Sequence, residues 1–211
     1  MRDLTVRPLT ADRWADLEAL FAARGCGAAR RCWCMHYRRT GRTTLVDGGR
    51  RSESYRAALR KLASSDEPPG LIAYRGRSPV GWISLGPREH FARLHRSSVM
   101  KAVDDTPVWS IVCFVVPAEH RGQGVARRLL EAAIEYARKR GATMLEAYPV
   151  DRPERSSDEA MWFGAKSMYD DAGFREVARR RPHRPVVRRR TARGKYSALR
   201  RASARRAGAR R

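Results

Sequence analysis

Apolar residues recur with helical spacing most clearly between Gly122 and Arg140, which predicts a helix over that range. Charged residues fill the opposite face, where Glu135 and Lys139 are spaced to form an i,i+4 ion pair. Gly141, directly after this pattern, is typical of the residue that ends a helix. We therefore expect one apolar stripe to face a core, formed by Val125, Leu129, Leu130, Ala133, Ile134 and Ala137.

Shorter apolar runs predict strands on both sides of this helix. The run 109–116 is almost wholly apolar and ends at Pro117, as is typical of a buried strand. Two runs at 71–74 and 80–85 flank a Gly-Arg-Ser-Pro turn and predict a hairpin. Further strands are predicted at 4–8, 143–148, 174–179 and 185–189, and further helices at 11–24, 52–63 and 165–172. This mixture of strands and helices predicts an α/β fold, with 25–51 as a long irregular connection.

Length and charge indicate one domain with an appended basic segment. The chain has 211 residues and a formal net charge of +23, and the segment 191–211 carries seven arginines, one lysine and no acid. That segment has almost no bulky apolar residue, so it cannot build a core. We therefore expect a domain over residues 1–190 and a basic, disordered tail over 191–211. The tail could alternatively be an electrostatic arm that contacts RNA or another polyanion.

The composition points to a cytoplasmic protein without membrane contact or metal. No apolar run reaches the roughly 18 residues that a membrane helix needs, and the N-terminal residues have no secretory apolar segment. Cys26, Cys32 and Cys34 cluster with His36, but their spacing differs from that of zinc sites, whose cysteines are usually paired. A metal site remains the alternative, and reduced thiols in a reducing compartment are the preferred interpretation.

A glycine turn stands between the strand at 109–116 and the long helix. Its sequence is Arg121-Gly122-Gln123-Gly124-Val125-Ala126. The first turn of a helix has free N–H groups and a partial positive charge, and glycines let an anion approach the backbone closely. Two nucleotide motifs fail here: Arg127 replaces the third glycine of a dinucleotide fingerprint, and no Gly-Lys-Ser/Thr of a P-loop is present. The pattern R-x-x-G-x-A remains.

This pattern resembles the acetyl-CoA motif of the GCN5-related N-acetyltransferases (GNAT). The segment Ser167–Phe174 is similar to the closing S-x-Y-x-x-x-G-F signature of that family, and the resemblance extends over about residues 1–190. It implies an α/β fold with a mixed, V-splayed central sheet flanked by helices on both faces. The runs Pro87-Arg88-Glu89 and Glu146–Asp151 resemble an actinobacterial-type branch of the family, which implies no particular substrate.

The resemblance implies acetyl transfer from acetyl-CoA to an amine by direct attack in a ternary complex. The pyrophosphate would face the backbone N–H groups of Gln123–Ala126, with added charge from Arg121. The pantetheine arm would pair with the strand at 112–116, which usually splays at a bulge, and a backbone N–H there could hold the thioester oxygen. The implied donor-binding residues are Cys113, Phe114, Val115, Val116, Arg121, Gly122, Gln123, Gly124, Val125 and Ala126.

Two residues are candidates for proton transfer. Tyr169 matches the family position of the general acid that protonates the leaving thiolate, or alternatively it packs the short helix against the sheet. The strand at 109–116 has no carboxylate, so Glu146 on the next strand is the candidate base. Glu146 could instead be an exposed strand residue, with Glu89, Glu119 or ordered water in the role of base.

Several residues near the expected acceptor entrance have two interpretations. Cys113 is either a small buried apolar residue or a nucleophile that carries the acyl group. Trp33, Trp82 and Trp109 either line an acceptor pocket or belong to the core. Arg88 either binds an acidic group of the acceptor or is solvated.

The acceptor is an amine that the sequence does not identify. One alternative is an RNA-linked or protein amine docked by the basic surface, and another is a non-catalytic module that binds acyl-CoA. A homodimer through an exposed strand edge is compatible with the fold.

Overall fold

A computed structural model describes residues 4–39, 48–152 and 161–191 of the chain. The expected tail, apart from Thr191, lies outside the described residues. The strands are β1 (Leu4–Pro8), β2 (Gly70–Arg75), β3 (Ser78–Pro87), β4 (Trp109–Val115), β5 (Met144–Ala147), β6 (Arg175–Arg179) and β7 (Pro185–Arg190). The helices are α1 (Trp14–Ala22), α2 (Gly27–Cys32), α3 (Gly48–Ala63), α4 (Ala92–His95), α5 (Val125–Lys139) and α6 (Lys166–Asp171). No helix in these ranges is long and apolar enough to cross a bilayer.

The strands of the described chain form one mixed sheet in the order β1-β2-β3-β4-β5-β7-β6. Strands β4 and β5 are parallel, and the other neighbouring pairs are antiparallel. The parallel pairing begins at Trp109↔Leu145 and ends at Ile111↔Ala147, although β4 continues to Val115. The second half of β4 therefore leaves its neighbour, which confirms the expected V-shaped opening in the sheet.

A β-bulge lies where β4 separates from β5. On the other side of β4, Ser84 pairs with Cys113 and Leu85 pairs with Ile111, so Val112 is the extra residue. A bulge bends its strand and increases the local twist. The bulge follows directly after the last pair with β5, which itself ends at Ala147, so the segment 113–115 extends past the end of that strand.

Helices cover both faces of the sheet because strand side chains alternate between the faces. Leu71 and Ala73 of β2 pack into the core beneath α5, whereas Ile72 and Tyr74 pack toward α1, α2 and α3. The predicted apolar stripe of α5 is confirmed, because Val125, Leu129, Leu130, Ala133 and Ala137 are buried and Ile134 is partly buried against the same core. The predicted fold class is thereby confirmed.

The segment 25–51 differs most from the sequence prediction. It was expected to be irregular, but α2 occupies Gly27–Cys32 and α3 begins at Gly48. Trp33 and Cys34 follow α2 with φ of 45° and 49°, in the left-handed region that non-glycine residues rarely adopt. This turn buries both side chains against α1 and β3, and residues 40–47 lie outside the described part. Tertiary burial therefore organises a segment that has no apolar period of its own.

Candidate active site

A cavity of about 950 Å³ runs along the splayed half of β4. One wall is β4 itself, the second is α2 with the turn after it, and the start of α5 closes one end. Met161, Trp162 and Gly164 complete the wall beyond β4. The remaining lining residues are Gly25, Cys26, Gly27, Ala28, Ala29, Arg31, Cys32, Cys34, His36, Tyr37, Arg51, Tyr55, Cys113, Phe114, Val115, Val116, Arg121 and Ala126.

The glycine turn gives the cavity a helix N-terminus. Gly122 and Gly124 have φ of 70° and 79°, which glycine adopts without steric cost. Helix α5 begins one residue later, at Val125, and Ala126 in its first turn lines the cavity. The first N–H groups of a helix have no intrahelical acceptor and carry partial positive charge. The turn therefore presents an anion-binding end to the cavity.

Arg121 joins the two walls at this end. Its Nε donates to the carbonyl of Val116 at 3.0 Å, and its Nη2 donates to the carbonyl of Gly25 at 2.9 Å. A side chain at Gly25 would collide with this guanidinium, since a Cβ there would lie 2.7 Å from Nη2. The guanidinium thus holds the start of α2 close to the end of β4 while also lining the cavity.

The backbone of β4 contacts the opposite wall of the cavity. Cys113–Val116 line the cavity, as the sequence predicts for a donor site. The Phe114 N–H, however, donates to the Trp162 carbonyl at 2.6 Å. This N–H lies on the splayed half of β4, where the pantetheine arm was expected to pair. The segment 161–164 therefore occupies part of the expected pairing position.

Tyr169 lies immediately behind the cavity wall. It is fully buried on α6, and its hydroxyl donates to the Phe163 carbonyl at 2.9 Å. Burial is the main cause that raises the pKa of this phenol, so the hydroxyl stays protonated throughout the physiological range. Its ring packs beside two cavity residues: a Cβ at Gly164 would lie 3.3 Å from Tyr169 Cε2, and the Phe114 ring meets it edge-on with centroids 6.4 Å apart. Tyr169 is thus adjacent to the cavity but does not line it.

Glu146 is placed away from the cavity in a buried ion-pair network. Its Oε1 accepts from Arg88 Nη1 at 2.6 Å, and its Oε2 accepts from Arg188 Nε at 2.7 Å. The Tyr148 hydroxyl also donates to Oε1, at 2.7 Å. The side chain is fully buried and does not line the cavity, and neither do Glu89 and Glu119. The geometry gives Glu146 no path to an acceptor amine and argues against its role as the general base.

Arg88 is neither solvated nor directed toward an acceptor. It is 7% exposed, and its Nη2 donates to the Met100 carbonyl at 2.6 Å while Nη1 binds Glu146. Both sequence interpretations of Arg88 are therefore wrong. A network of this kind is invisible in the sequence, because Arg88 and Glu146 come from different strands and connections.

Trp33, Trp82 and Trp109 do not line the cavity either. Trp33 and Trp82 belong to the core under α1, where Trp33 stacks on Trp14 with ring centroids 5.7 Å apart. Trp109 is half-buried and meets the Tyr136 ring of α5 edge-on. The core interpretation is therefore the correct one for these three residues.

Three thiols meet in the middle of the cavity wall. Cys32, Cys34 and Cys113 all line the cavity and are free of disulfides. The pKa of Cys34 is raised mainly by its hydrogen bond with Cys113. The pKa of Cys32 is raised mainly by its hydrogen bond with Cys34. The Trp82 indole N–H also contacts Cys34 Sγ at 3.2 Å. No group of histidine, cysteine and acidic side chains suited to a metal ion occurs among the described residues.

His36 and Tyr37 are cavity residues that the sequence interpretation did not assign to catalysis. His36 lines the cavity and is also exposed to solvent, and its Nε2 lies 3.4 Å from Arg93 Nη1. Desolvation, followed by the charge of Arg93, lowers the pKa of this imidazole below its usual 6.5. The available signal in the sequence is its position beside the cysteine cluster.

The cavity lies where two parallel strands separate, next to a helix that begins after a glycine turn and next to a buried tyrosine. This arrangement is that of an acyl-CoA-dependent transferase. A family model described as the acetyltransferase (GNAT) family matches residues 36–159. The chain therefore belongs to the GNAT acetyltransferase family. It is an N-acetyltransferase that uses acetyl-CoA as its acyl donor and an amine as its acceptor.

Solved structures share this fold at low sequence identity. The paiA N-acetyltransferase from Thermoplasma acidophilum, in complex with coenzyme A, has a TM-score of 0.50 and 14% identity, covering 89% of this chain and 98% of that chain. A protein from Pyrococcus horikoshii OT3 has a TM-score of 0.50 and 16% identity, covering 90% of this chain and 99% of that chain. No curated protein sequence matches this chain significantly.

Proposed function

We propose that this enzyme transfers the acetyl group directly from acetyl-CoA to a free amine while both substrates are bound. The observation that carries this proposal is the continuity of the cavity. It joins the start of α5, the splayed backbone of β4 and the solvent-exposed His36 in a single space. A donor bound along β4 would bring its thioester toward the end that an acceptor enters, so no carrier residue is needed between them.

The donor site would use backbone groups more than side chains. The N–H groups of Gln123–Ala126 would face the pyrophosphate, and Arg121 would add positive charge beside them. The pantetheine arm would lie along the cavity face of Cys113–Val116. A backbone N–H of that segment would stabilise the thioester oxygen as it gains negative charge. For Phe114 this requires an exchange of its current acceptor, the Trp162 carbonyl.

Tyr169 would supply the proton that the leaving thiolate needs. Its raised pKa keeps the hydroxyl protonated, and its ring packs beside the cavity residues Gly164 and Phe114. To serve as acid, the hydroxyl would exchange its current acceptor, the Phe163 carbonyl. Attack of the amine forms the C–N bond, and collapse of the tetrahedral intermediate breaks the C–S bond. The coenzyme A sulfur then takes the proton from the Tyr169 hydroxyl, which regains one from the intermediate or from solvent.

The proposal is tested in two steps with the full-length protein. Coenzyme A alone should raise the melting temperature, because a ligand that binds only the folded state stabilises it. Acetyl-CoA should then release free thiol in the presence of a panel of amines, including amino acids, polyamines, peptides and aminoacyl-tRNA. Tight binding of coenzyme A without acetylation of any amine would identify a binding module and overturn the enzymatic proposal.

A macromolecular acceptor is a second candidate, favoured by the charge distribution. The chain carries a formal net charge of +23, and its segment 191–211 holds seven arginines and one lysine without an acid. Such an excess of positive charge would dock an RNA-linked amine through its phosphates. Binding of tRNA that weakens steeply with added salt would support this acceptor class, and absence of binding at low salt would exclude it.

The proposal also includes the oligomeric state and the cellular compartment of the enzyme. Strand β6 is an edge of the sheet and exposes Val177, so a homodimer could form by pairing there. The four free thiols suit a reducing compartment such as the cytoplasm. Sedimentation of the purified protein tests the dimer, since a single monomer species at micromolar concentration would exclude it.

A further inference from the structure

His36 lies where the cavity opens to solvent. It comes from the turn after α2 and lines the cavity, while part of its ring remains exposed. Among the described lining residues it is the single imidazole, and none of those residues is a carboxylate. A group in this position can take a proton from a molecule in the cavity and pass it to bulk water.

Arg93 fixes the turn that carries His36. Its backbone N–H donates to the Tyr37 carbonyl at 3.1 Å, and its Nε donates to the Arg39 carbonyl at 2.9 Å. Its Nη1 then lies 3.4 Å from His36 Nε2. A guanidinium has no acceptor atom, so Nε2 must present its lone pair and the ring proton belongs on Nδ1. Arg93 therefore sets both the position and the tautomer of the imidazole.

The charges around His36 favour its neutral form. Arg93 faces it from α4, and Arg31, Arg51 and Arg121 line the same cavity. The neighbouring Tyr37 meets the imidazole edge-on, with ring centroids 4.8 Å apart, and burial raises the pKa of that phenol to about 12. No described group in this set offers a negative charge that would stabilise an imidazolium.

We propose that His36 is the general base of the acetyl transfer, with Arg93 as its positioning residue. This inference rests on the acetyl transfer proposed above. The acceptor ammonium takes the place of Arg93 Nη1 at His36 Nε2 and gives that nitrogen one proton, and the free amine then attacks the thioester carbonyl. The imidazolium is disfavoured beside Arg93, so it releases the proton to solvent. The second proton of the attacking nitrogen leaves the tetrahedral intermediate, and the sulfur leaves as coenzyme A thiol. One proton is released for each amide formed.

The test is the pH profile of kcat/KM in wild-type enzyme, H36Q and R93Q. Wild-type activity should fall at low pH with an inflection below 6.5. H36Q should be slower by a factor of about 10² or more and should lose that inflection, while coenzyme A still shifts its melting temperature. R93Q keeps the imidazole but removes the neighbouring charge and the side-chain contacts to His36 and Arg39, so the rate should fall and the inflection should move to higher pH. H95Q, which changes an exposed histidine on the same helix as Arg93, is the matched control.

The outcomes separate this inference from the function on which it rests. A wild-type enzyme that acetylates amines, with an H36Q variant of similar rate and unchanged low-pH inflection, would overturn the role of His36 alone. A wild-type enzyme that acetylates no amine would overturn both proposals. NMR titration of the His36 ring gives a readout independent of activity: its pKa should rise in R93Q, and an unchanged value would contradict the role of Arg93.

Discussion

The Phe114 N–H donates to the Trp162 carbonyl at 2.6 Å across the opening of the sheet. Phe114 lies on the splayed half of β4, and Trp162 lies on the far wall of the cavity. This bond satisfies a backbone donor that would otherwise face the cavity. It also means that a donor molecule pairing with β4 at this residue must replace the Trp162 carbonyl.

We expect coenzyme A to change the environment of the Phe114 amide. Replacement of one carbonyl acceptor by a pantetheine carbonyl shifts the amide resonance while keeping the N–H bonded. In a titration followed by ¹⁵N NMR, Phe114 should shift strongly, whereas the amide of Ala137, buried on the inner face of α5, should not. A coenzyme A complex in which Phe114 keeps its free-state resonance would place the pantetheine arm elsewhere.

The anion-binding end of the cavity can be tested at Ala126. A carboxylate there (A126E) would repel the pyrophosphate, although an acid in the first turn is favourable for the helix itself. A126Q is the matched control, since it has the same size without the charge. We expect the Kd of coenzyme A to be about tenfold higher in A126E than in A126Q, with similar melting temperatures, by calorimetry and thermal shift. Equal affinities of the two variants would argue against a phosphate at this position.

Removal of the Tyr169 hydroxyl separates its catalytic role from its packing role. Y169F keeps the ring between Phe114 and Phe174 and loses the bond to the Phe163 carbonyl. Loss of a general acid should lower kcat by about 10²-fold, with little change in coenzyme A affinity. Y37F, which removes a hydroxyl from the cavity wall itself, is the control. If Y169F loses stability but retains kcat, the residue is structural.

Glu146 should prove essential for stability. E146Q would leave Arg88 and Arg188 buried beside an uncharged amide, and disruption of a buried ion pair costs about 3–5 kcal/mol. Urea unfolding should show this loss, whereas E135Q, which breaks an exposed pair with Lys139, should change the free energy of unfolding by less than about 1 kcal/mol. A stable E146Q variant without activity would restore the base role that the geometry argues against.

Asp104 should make stability depend on pH in the acid range. Its hydrogen bond to Arg188, at 2.7 Å, is the main cause that lowers its pKa to about 2. Since the unfolded value is near 3.9, the contribution is fully present above about pH 4 and is lost as the pH falls toward 2. D104N should flatten the stability profile in that window, measured by thermal unfolding. D105N, one residue away, should leave the wild-type slope unchanged.

Much of the sheet and of the donor site could be predicted from the sequence. The period of α5, the glycine turn before it and the apolar run of β4 are local patterns, so they need no knowledge of distant contacts. The family resemblance implied that Cys113–Val116 and Ala126 bind the donor, and these residues line one cavity. It could not show that the Phe114 N–H already has an acceptor, because Trp162 is far from it in the chain.

The catalytic groups depended on tertiary structure. The sequence suggests Glu146 as a base because it is a lone carboxylate on a predicted strand. Nothing near it in the chain indicates that Arg88 and Arg188 bind this carboxylate in the folded protein. In the sequence His36 is only a neighbour of the cysteine cluster, and the packing of α2 along β4 brings it into the cavity. The sequence by itself determined the strand, the glycine turn and the helix at one end of the cavity, since these follow from backbone conformation and local period. Only the tertiary structure decided which titratable side chains are buried in ion pairs and which line the cavity, because burial and charge pairing are set by contacts between residues distant in the chain.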